Sequence, residues 1–166
     1  VDKVVEQIGV DRDLVKKADA GSNVLYSFET QYGPRYANLT NRVIYNQFEV
    51  IQKFAEKSSC VIIGRSADYI LKDSKDIKLL RAFIYAPDEI RIQNIMKSHS
   101  LSESDAKILL LEKDKRYHKR HLALTGSNRG DRHNRDILIN SAFLGVEGTA
   151  EYLEELIQKK YGSGEE

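Results

Sequence analysis

Three short apolar runs, each bounded by polar residues, predict three buried β-strands. The runs are Cys60–Ile63, Leu79–Tyr85 and Asp136–Ile139. Continuous apolar character over a few residues is typical of strands that are covered on both faces, as in parallel sheets. Helical patterns lie between the runs, so we expect a parallel sheet whose strands are joined by right-handed connections through helices.

Apolar residues at helical spacing predict amphipathic helices around these runs. The first extends from about Leu39 to Lys57. A second opens at Pro87, because proline favours the first helical position and Asp88 and Glu89 suit the positive first turn. A third opens with a capping box at Ser102 and continues into a basic segment. The last helix is indicated by apolar positions that share one face: Val146, Ala150, Leu153 and Ile157.

Together these elements predict an α/β fold with a three-layer arrangement, in which helices flank a parallel sheet. The chain has 166 residues, of which 41% are hydrophobic and 31% are charged. These values fit one globular domain over residues 1–166, and no repeat, low-complexity tract or linker divides it. The Gly- and Ser-containing tail from Gly162 to Glu166 is expected to be a frayed terminus.

Composition also narrows the cellular setting. No stretch approaches the roughly 18 consecutive apolar residues that a membrane span requires. The single cysteine, Cys60, cannot form an internal disulfide, and the first residues lack the pattern of a signal peptide. We therefore expect a cytoplasmic protein without a membrane partner, in which Cys60 is an inert thiol of the core.

Positive charge is concentrated in residues 113–135. This segment contains eight Lys or Arg residues against two Asp, a net charge of +6, whereas the remainder has 18 basic and 23 acidic residues, a net charge of −5. Such a segment faces the phosphates of small ligands, a nucleic-acid backbone, or solvent. Within it, Arg116 and Arg120 lie four residues apart and so share one helix face, with Asp114 off that face.

Gly64 and Arg65 follow the first apolar run directly. If that run is a strand, the pair lies at the carboxyl edge of the sheet, where open α/β sheets bind ligands. Glycine permits a close turn, and the planar guanidinium of arginine suits a phosphate group or the edge of a base. The alternative is a simple turn, followed by a surface Arg65 that pairs with Asp68.

Four stretches of the chain, in this order, resemble the cytidylate-kinase-like branch of the P-loop nucleoside monophosphate kinases. They are CVIIGRSADYIL, LLRAFIYAPDEIRIQNIM, LSESDAKILLLEKDKRYHKRHLALTG and RDILINSAFLGVEGTAEYLEELI. The resemblance covers about residues 1–160. It implies a P-loop kinase fold in which helices within about residues 1–57 lie on the acceptor side and residues 113–135 form a basic lid.

The resemblance assigns the first candidate residues to the acceptor nucleotide. In this family the Gly-Arg pair at the strand end belongs to the acceptor site, which implies that Gly64, Arg65 and Asp68 bind the acceptor. Bacterial cytidylate kinases have an Asp directly after the Gly-Arg pair, whereas this chain has Ser66. That departure leaves the identity of the acceptor base open.

The other candidate residues are assigned to the phosphates and to the donor nucleotide. The resemblance implies that Arg116 and Arg120 reach the donor and acceptor phosphates and that Asp114 orients one of these arginines. A lid that carries arginines suits phosphoryl transfer, which needs positive charge on the transferring group. Asn140 and Ser141 follow the third apolar run, in the loop that lies near the adenine of ATP in relatives.

The implied activity is transfer of the γ-phosphoryl group of ATP to a nucleoside monophosphate, with CMP as the acceptor and ATP and Mg²⁺ as cofactors. The alternative is a non-catalytic nucleotide- or nucleic-acid-binding protein on the same fold. We expect small nucleotides rather than nucleic acid as partners, and the oligomeric state is left open. No metal site is predicted in the chain, because His118 and His121 lack a third ligand at a useful spacing.

The beginning of the chain gives a further expectation. Apolar residues in helical register start at once, without a capping residue before them, and no glycine-rich phosphate loop of the form GxxxxGK[ST] is present in the sequence. We therefore expect a strand and a glycine loop, about 30 residues in all by the length of a βαβ unit, to precede Val1. Without that loop the chain is expected to bind ATP weakly.

Overall fold

A computed structural model describes residues 34–162 and four isolated positions before them, namely Glu6, Arg12, Asp13 and Lys16. The helical register expected at Val1, Val4, Val5 and Ile8, and the tail beyond Gly162, lie outside the described residues.

Residues 34–162 form five α-helices, one short 3-10 helix and two β-strands. In chain order they are α1 (Pro34–Lys57), α2 (Ala67–Ile70), β1 (Ala82–Tyr85), α3 (Asp88–His99), α4 (Glu103–Thr125), the 3-10 helix (Arg132–Asn134), β2 (Ile137–Asn140) and α5 (Ser141–Tyr161). Helix α5 is interrupted at Gly145, whose φ of 73° is not helical.

The helices that the sequence predicts are confirmed, with small shifts at their ends. Helix α1 begins five residues before the predicted Leu39. Pro87 is the residue before α3 rather than its first residue. At the start of α4, the Ser102 hydroxyl accepts a hydrogen bond from the backbone N–H of Asp105 at 3.2 Å and donates one to the Asp105 carboxylate at 2.6 Å. Ser102 therefore caps this helix as predicted.

The second and third apolar runs form the predicted parallel strand pair. Strands β1 and β2 are in register from Ala82 opposite Ile137 to Tyr85 opposite Asn140. The first run, Cys60–Ile63, is not a strand, and that prediction is wrong: Val61 is 89% exposed and Ile63 is 90% exposed. An apolar run indicates that a segment could join a sheet, but it does not show which partner strand would supply the hydrogen bonds.

This changes the expected architecture. Within the described residues the sheet has two strands instead of three, and half-exposed side chains such as Ile84 and Tyr85 show that helices do not cover it completely. The fold is a mixed α/β fold that is mostly helical and contains a small parallel sheet. The sequence identified the class of the fold, but it overestimated the width of the sheet.

Cys60 provides a simple test of this correction. Since the residue is exposed, we expect the thiol of the native protein to react with Ellman's reagent at nearly the rate of the urea-unfolded chain. The chain has a single cysteine, so the signal is unambiguous. Reaction that occurs only after unfolding would support the buried strand and contradict the exposed segment.

The contacts of the chain divide it into two compact units. The first unit comprises Val1–Ile77 with Arg116–Ser127, and the second comprises Lys78–Lys115 with Asn128–Glu166. In the described part of the first unit, α1 contacts α2, and the buried apolar residues are Val43, Ile51, Ala67 and Leu71. In the second unit, β2 contacts both β1 and α5, and Ala106, Leu110 and Thr149 are buried.

An ion pair connects the residues that directly precede the two strands. The guanidinium of Arg81 donates to the Asp136 carboxylate at 2.8 and 3.1 Å, and the backbone N–H of Arg81 donates to the same carboxylate at 2.7 Å. The hydrogen bonds from the Arg81 side chain are the main cause that lowers the pKa of Asp136 below its ordinary value. The hydrogen bond from the backbone N–H of Arg81 lowers it further.

We therefore expect Asp136→Asn to lower the free energy of unfolding at pH 7 by about 1 kcal/mol, after allowance for solvent screening. A carboxylate whose pKa is lowered in the folded state stabilises fully above its unfolded pKa of about 4 and loses that contribution as the pH falls through the folded value. Urea unfolding at pH 7 and pH 3 should thus show a smaller acid destabilisation for Asp136→Asn than for the unsubstituted chain. Asp73→Asn, at an exposed position, is the control and should leave that difference unchanged.

Candidate functional site

The predicted acceptor residues lie in an unusual backbone turn. Gly64, Arg65 and Ser66 have φ values of 74°, 59° and 53°, so three consecutive residues are left-handed. The conformation costs glycine little, but it costs each of the other two residues about 1 kcal/mol. The turn ends where the N–H of Ala67 donates to the Gly64 carbonyl at 3.2 Å and α2 begins. Arg65 is thus presented by a tight turn, not by the end of a strand.

A buried hydrogen bond ties this turn to α4. The Ser66 hydroxyl lies 3.1 Å from Nδ1 of His121, and both residues are less than 9% exposed. Ser66 is the residue before α2, a position where serine commonly caps a helix, yet its side chain makes no capping hydrogen bond. Sequence reasoning missed this pair, because nothing in the local pattern connects residues 55 positions apart.

The two arginines of the basic helix face have different surroundings. Arg116 is exposed, and its guanidinium lies over the ring of Tyr117 at 5.4 Å from the ring centroid. Arg120 is half-buried, and its Nη2 donates to Oε1 of Gln47 at 2.8 Å. Gln47 lies in the buried stripe of α1, between Val43 and Ile51. Arg120 therefore also fastens α4 to α1, a role that the sequence pattern did not indicate.

Five of the eight predicted site residues belong to one compact unit. Gly64, Arg65 and Asp68, on or next to the turn, and Arg116 and Arg120, on the last part of α4, all lie in the first unit. The hydrogen bond between Ser66 and His121 connects these two groups directly. The other three predicted residues lie in the second unit: Asp114, Asn140 and Ser141.

Asp114 binds two arginines of the second unit. Arg91 donates two hydrogen bonds to its carboxylate, at 2.7 and 2.8 Å, and Arg129 of the basic segment lies at 3.6 Å. The hydrogen bonds from Arg91 lower the pKa of Asp114, and the same contact raises the pKa of Arg91. Arg91 also pairs with Asp88, so this arginine is a structural ion-pair partner of two carboxylates in the second unit.

Asn140 and Ser141 connect the end of the sheet to α5. The Asn140 side-chain oxygen accepts a hydrogen bond from the N–H of Ala142 at 3.0 Å and caps the helix. The Ser141 hydroxyl donates to the carbonyl of Tyr85, at the end of β1, at 3.2 Å. Asn140 is thus the last residue of β2 and Ser141 the first residue of α5, and both side chains hold the junction of the strand and the helix in place rather than a loop.

The basic segment continues beyond α4 as a loop that packs on β1. The guanidinium carbons of Arg129 and Arg135 lie 5.7 and 5.8 Å from the ring centroid of Phe83. Gly130, with φ of 91°, is so close to this ring that a Cβ atom there would lie 3.0 Å from it. Phe83 therefore anchors two cations of the segment, a role that its position in an apolar run could not reveal.

The residues that the structure describes contain neither a cluster of three metal-binding side chains nor a helix that could span a membrane. No group of three His, Cys, Asp or Glu side chains among these residues could hold a metal ion. Among the same residues, no helix combines the length and apolar character needed to cross a membrane.

Two curated proteins named cytidylate kinase are similar to this chain. The protein from Thermococcus sibiricus is 26% identical over 135 residues, which cover 81% of this chain and 66% of the relative. The protein from Thermococcus kodakarensis is 29% identical over 111 residues, which cover 67% of this chain and 55% of the relative. The chain thus matches less than two thirds of the length of either relative.

A solved structure has a similar fold. It is the crystal structure of an uncharacterized protein from Eubacterium ventriosum, with a TM-score of 0.58 and 22% sequence identity, and the match covers 93% of this chain and 89% of that one. At this identity the likeness concerns the fold alone. It places the chain in a mixed α/β class.

The family model described as the cytidylate kinase-like family matches residues 1–142. The chain therefore belongs to the cytidylate kinase-like family, and the resemblance found in the sequence is confirmed.

Proposed function

We propose that the protein is a nucleotide kinase that transfers the γ-phosphoryl group of ATP to a nucleoside monophosphate, with CMP as the acceptor. The observation that carries the proposal is the connection, within one unit, of the turn bearing Arg65 to the helix bearing Arg116 and Arg120. Family membership and the names of the two relatives support the same reaction class.

In this proposal Arg65 binds the phosphate of the acceptor. A guanidinium forms two parallel hydrogen bonds to a phosphate, and these are stronger than neutral hydrogen bonds. Gly64 allows the backbone to turn closely before Arg65. Asp68, in the first turn of α2, is proposed to contact the base, since a carboxylate can accept a hydrogen bond from the amino group of cytosine.

Arg116 and Arg120 are proposed to stabilise the charge on the transferring group. Phosphoryl transfer requires little covalent chemistry from the protein and depends on positioning and positive charge. The contacts of Asp114 are with Arg91 and Arg129, not with Arg116 or Arg120 as expected, and Asp114 is therefore proposed to order Arg129 of the basic segment. Asn140 and Ser141 are proposed to lie near the donor nucleotide. ATP reacts as its Mg²⁺ complex in this class of reaction, and no described residue is assigned to the metal.

A direct assay tests the proposal. The full-length protein is incubated with Mg-ATP and with CMP, UMP or AMP, and the diphosphates formed are separated and quantified. We expect CDP as the main product and a much lower rate with UMP, because uracil has a carbonyl where cytosine has its amino group. Asp68→Asn should narrow the difference between CMP and UMP. Equal rates for all three acceptors would contradict the assignment of CMP.

The exposed cations of the basic segment are also compatible with the alternative function, a non-catalytic nucleic-acid-binding protein. Lys115, Arg116 and Lys119 are all exposed on α4, as they would be in a non-catalytic nucleic-acid-binding protein. Such a protein would bind RNA with an affinity that falls steeply with salt and depends little on sequence. That result, together with an absence of turnover, would favour the alternative over the kinase.

A further inference from the structure

We propose that Ser66 and His121 are positioning residues for phosphoryl transfer; the proposal rests on the kinase function proposed above. Their 3.1 Å hydrogen bond joins the turn that carries Arg65 to the helical segment that carries Arg116 and Arg120. This hydrogen bond fixes the position of the acceptor-binding arginine relative to the two arginines that act on the transferring phosphoryl group. Neither Ser66 nor His121 needs to touch a substrate for this role.

The turn lies between segments that have little regular secondary structure of their own, although α2 contacts α1. Residues 59–63 before it form no strand, so no hydrogen bonds of a sheet hold its N-terminal side. Helix α2 after it has only four residues, less than a stable isolated helix requires. Two of the three residues in the turn, Arg65 and Ser66, have positive φ values that residues other than glycine disfavour.

His121, on the other side of the hydrogen bond, lies in a part of α4 that has further contacts. His121 lies inside the long helix α4 and is only 6% exposed. Its backbone carbonyl accepts a hydrogen bond from the Thr125 hydroxyl at 2.8 Å. The preceding residue, Arg120, is bound to Gln47 of α1 at 2.8 Å. The hydrogen bond therefore attaches the turn to a long helix that is itself bound to α1.

The choice of serine at position 66 is informative. Glycine would adopt the φ of 53° more readily than serine does. A serine that served only to start α2 would accept a hydrogen bond from a backbone N–H of that helix, yet no such bond is present. The hydroxyl instead contacts His121, so the property that distinguishes Ser66 from glycine is this one side-chain contact.

Four variants separate the hydrogen bond from the conformation of the turn. Ser66→Ala and Ser66→Gly both remove the hydroxyl, but Ser66→Gly also relieves the backbone. We expect both to raise the KM for CMP about 10-fold and to leave the KM for ATP unchanged, since a small misplacement of a binding group has effects of this order or larger. His121→Leu should behave like Ser66→Ala. His121→Asn retains a polar atom near the position of Nδ1 and should keep a nearly normal KM.

Coupling gives a second criterion. Ser66→Ala combined with His121→Leu should be no worse than either single change, because both remove the same interaction. If Ser66→Gly has a normal KM for CMP, the conformation of the turn matters and the hydrogen bond does not, and the proposal is overturned. Additive effects of the two substitutions would overturn it as well.

A matched control guards against a merely structural effect. Thr149 is also buried, in the second unit, and its hydroxyl donates to the Gly145 carbonyl at 2.6 Å. Thr149→Ala should lower the melting temperature and leave the KM for CMP unchanged. A rise of the same size in that KM for Thr149→Ala would show that any loss of stability changes it, and would contradict a specific role for Ser66.

Hydrogen exchange distinguishes failure of this proposal from failure of the kinase function. In Ser66→Ala and His121→Leu, backbone amides within residues 64–71 should exchange faster than in the unsubstituted chain, whether or not the protein is a kinase. No turnover in the unsubstituted full-length protein would reject the proposed function, and the exchange rates would then decide the link by themselves. Unchanged exchange would overturn the link. Faster exchange with normal kinetic constants in an active enzyme would overturn the positioning role.

Discussion

Arg65→Ala is expected to reduce kcat/KM for CMP about 30-fold, which corresponds to about 2 kcal/mol of lost transition-state stabilisation. The substitution removes a charged group that forms two hydrogen bonds to the acceptor phosphate in the proposed site. Arginine and alanine both disfavour the φ of 59° found at this position, so we expect a similar conformational cost of the turn in both proteins. Steady-state kinetics with varied CMP and saturating ATP measure the effect.

A comparison with another cation tests the specificity of this effect. Lys53 is exposed in the same unit and forms a surface ion pair with Glu49 at 3.7 Å. Lys53→Ala should leave kcat/KM unchanged, because a single exposed ion pair contributes little. The assignment of Arg65 would be withdrawn if both variants behaved alike, or if Arg65→Ala raised the KM for ATP and not the KM for CMP.

Arg116→Ala and Arg120→Ala are each expected to lower kcat about 100-fold, with a smaller change in KM. The reason is that positive charge has its largest effect when the phosphoryl group is in transit, not when the substrates are merely bound. Rapid quench of a single turnover measures the chemical step directly. Effects confined to KM would make these arginines binding groups for the ground state.

Arg120 requires a separate control, because it also binds Gln47 at 2.8 Å. Gln47→Met removes that hydrogen bond and leaves the guanidinium in place. We expect Gln47→Met to lower the free energy of unfolding by about 1 kcal/mol and to change kcat far less than Arg120→Ala does. If Gln47→Met reproduces the loss of kcat, the role of Arg120 is to fasten α4 to α1, and its catalytic assignment fails.

The local sequence was sufficient to predict those elements whose structure depends on residues close together in the chain. The capping box at Ser102 and the apolar spacing from Val43 to Ile51 predicted α4 and α1, since both signals operate within a few residues. The parallel pairing of β1 with β2 was also foreseen, because consecutive strands separated by helices can rarely pair in another way. The same logic failed for Cys60–Ile63, because a strand exists only where a partner supplies hydrogen bonds.

The candidate site shows the same division. The residue types and the family resemblance selected Gly64, Arg65 and Asp68, and they selected Arg116 and Arg120 on one helix face. The pattern could not show that Arg65 lies in a left-handed turn, since only the backbone angles of Gly64–Ser66 reveal this. Nor could it assign Arg91 and Arg129 as the partners of Asp114.

The sequence by itself determined the helices, the parallel pair of strands, the concentration of positive charge and the family of this protein. Each of these follows from periodicity, from capping residues, or from motifs in a fixed order. The tertiary structure alone decided that the first apolar run is exposed, that Arg120 binds Gln47, and that Ser66 binds His121. These facts depend on contacts between residues that are far apart in the chain, and no local pattern encodes which distant side chain completes a hydrogen bond.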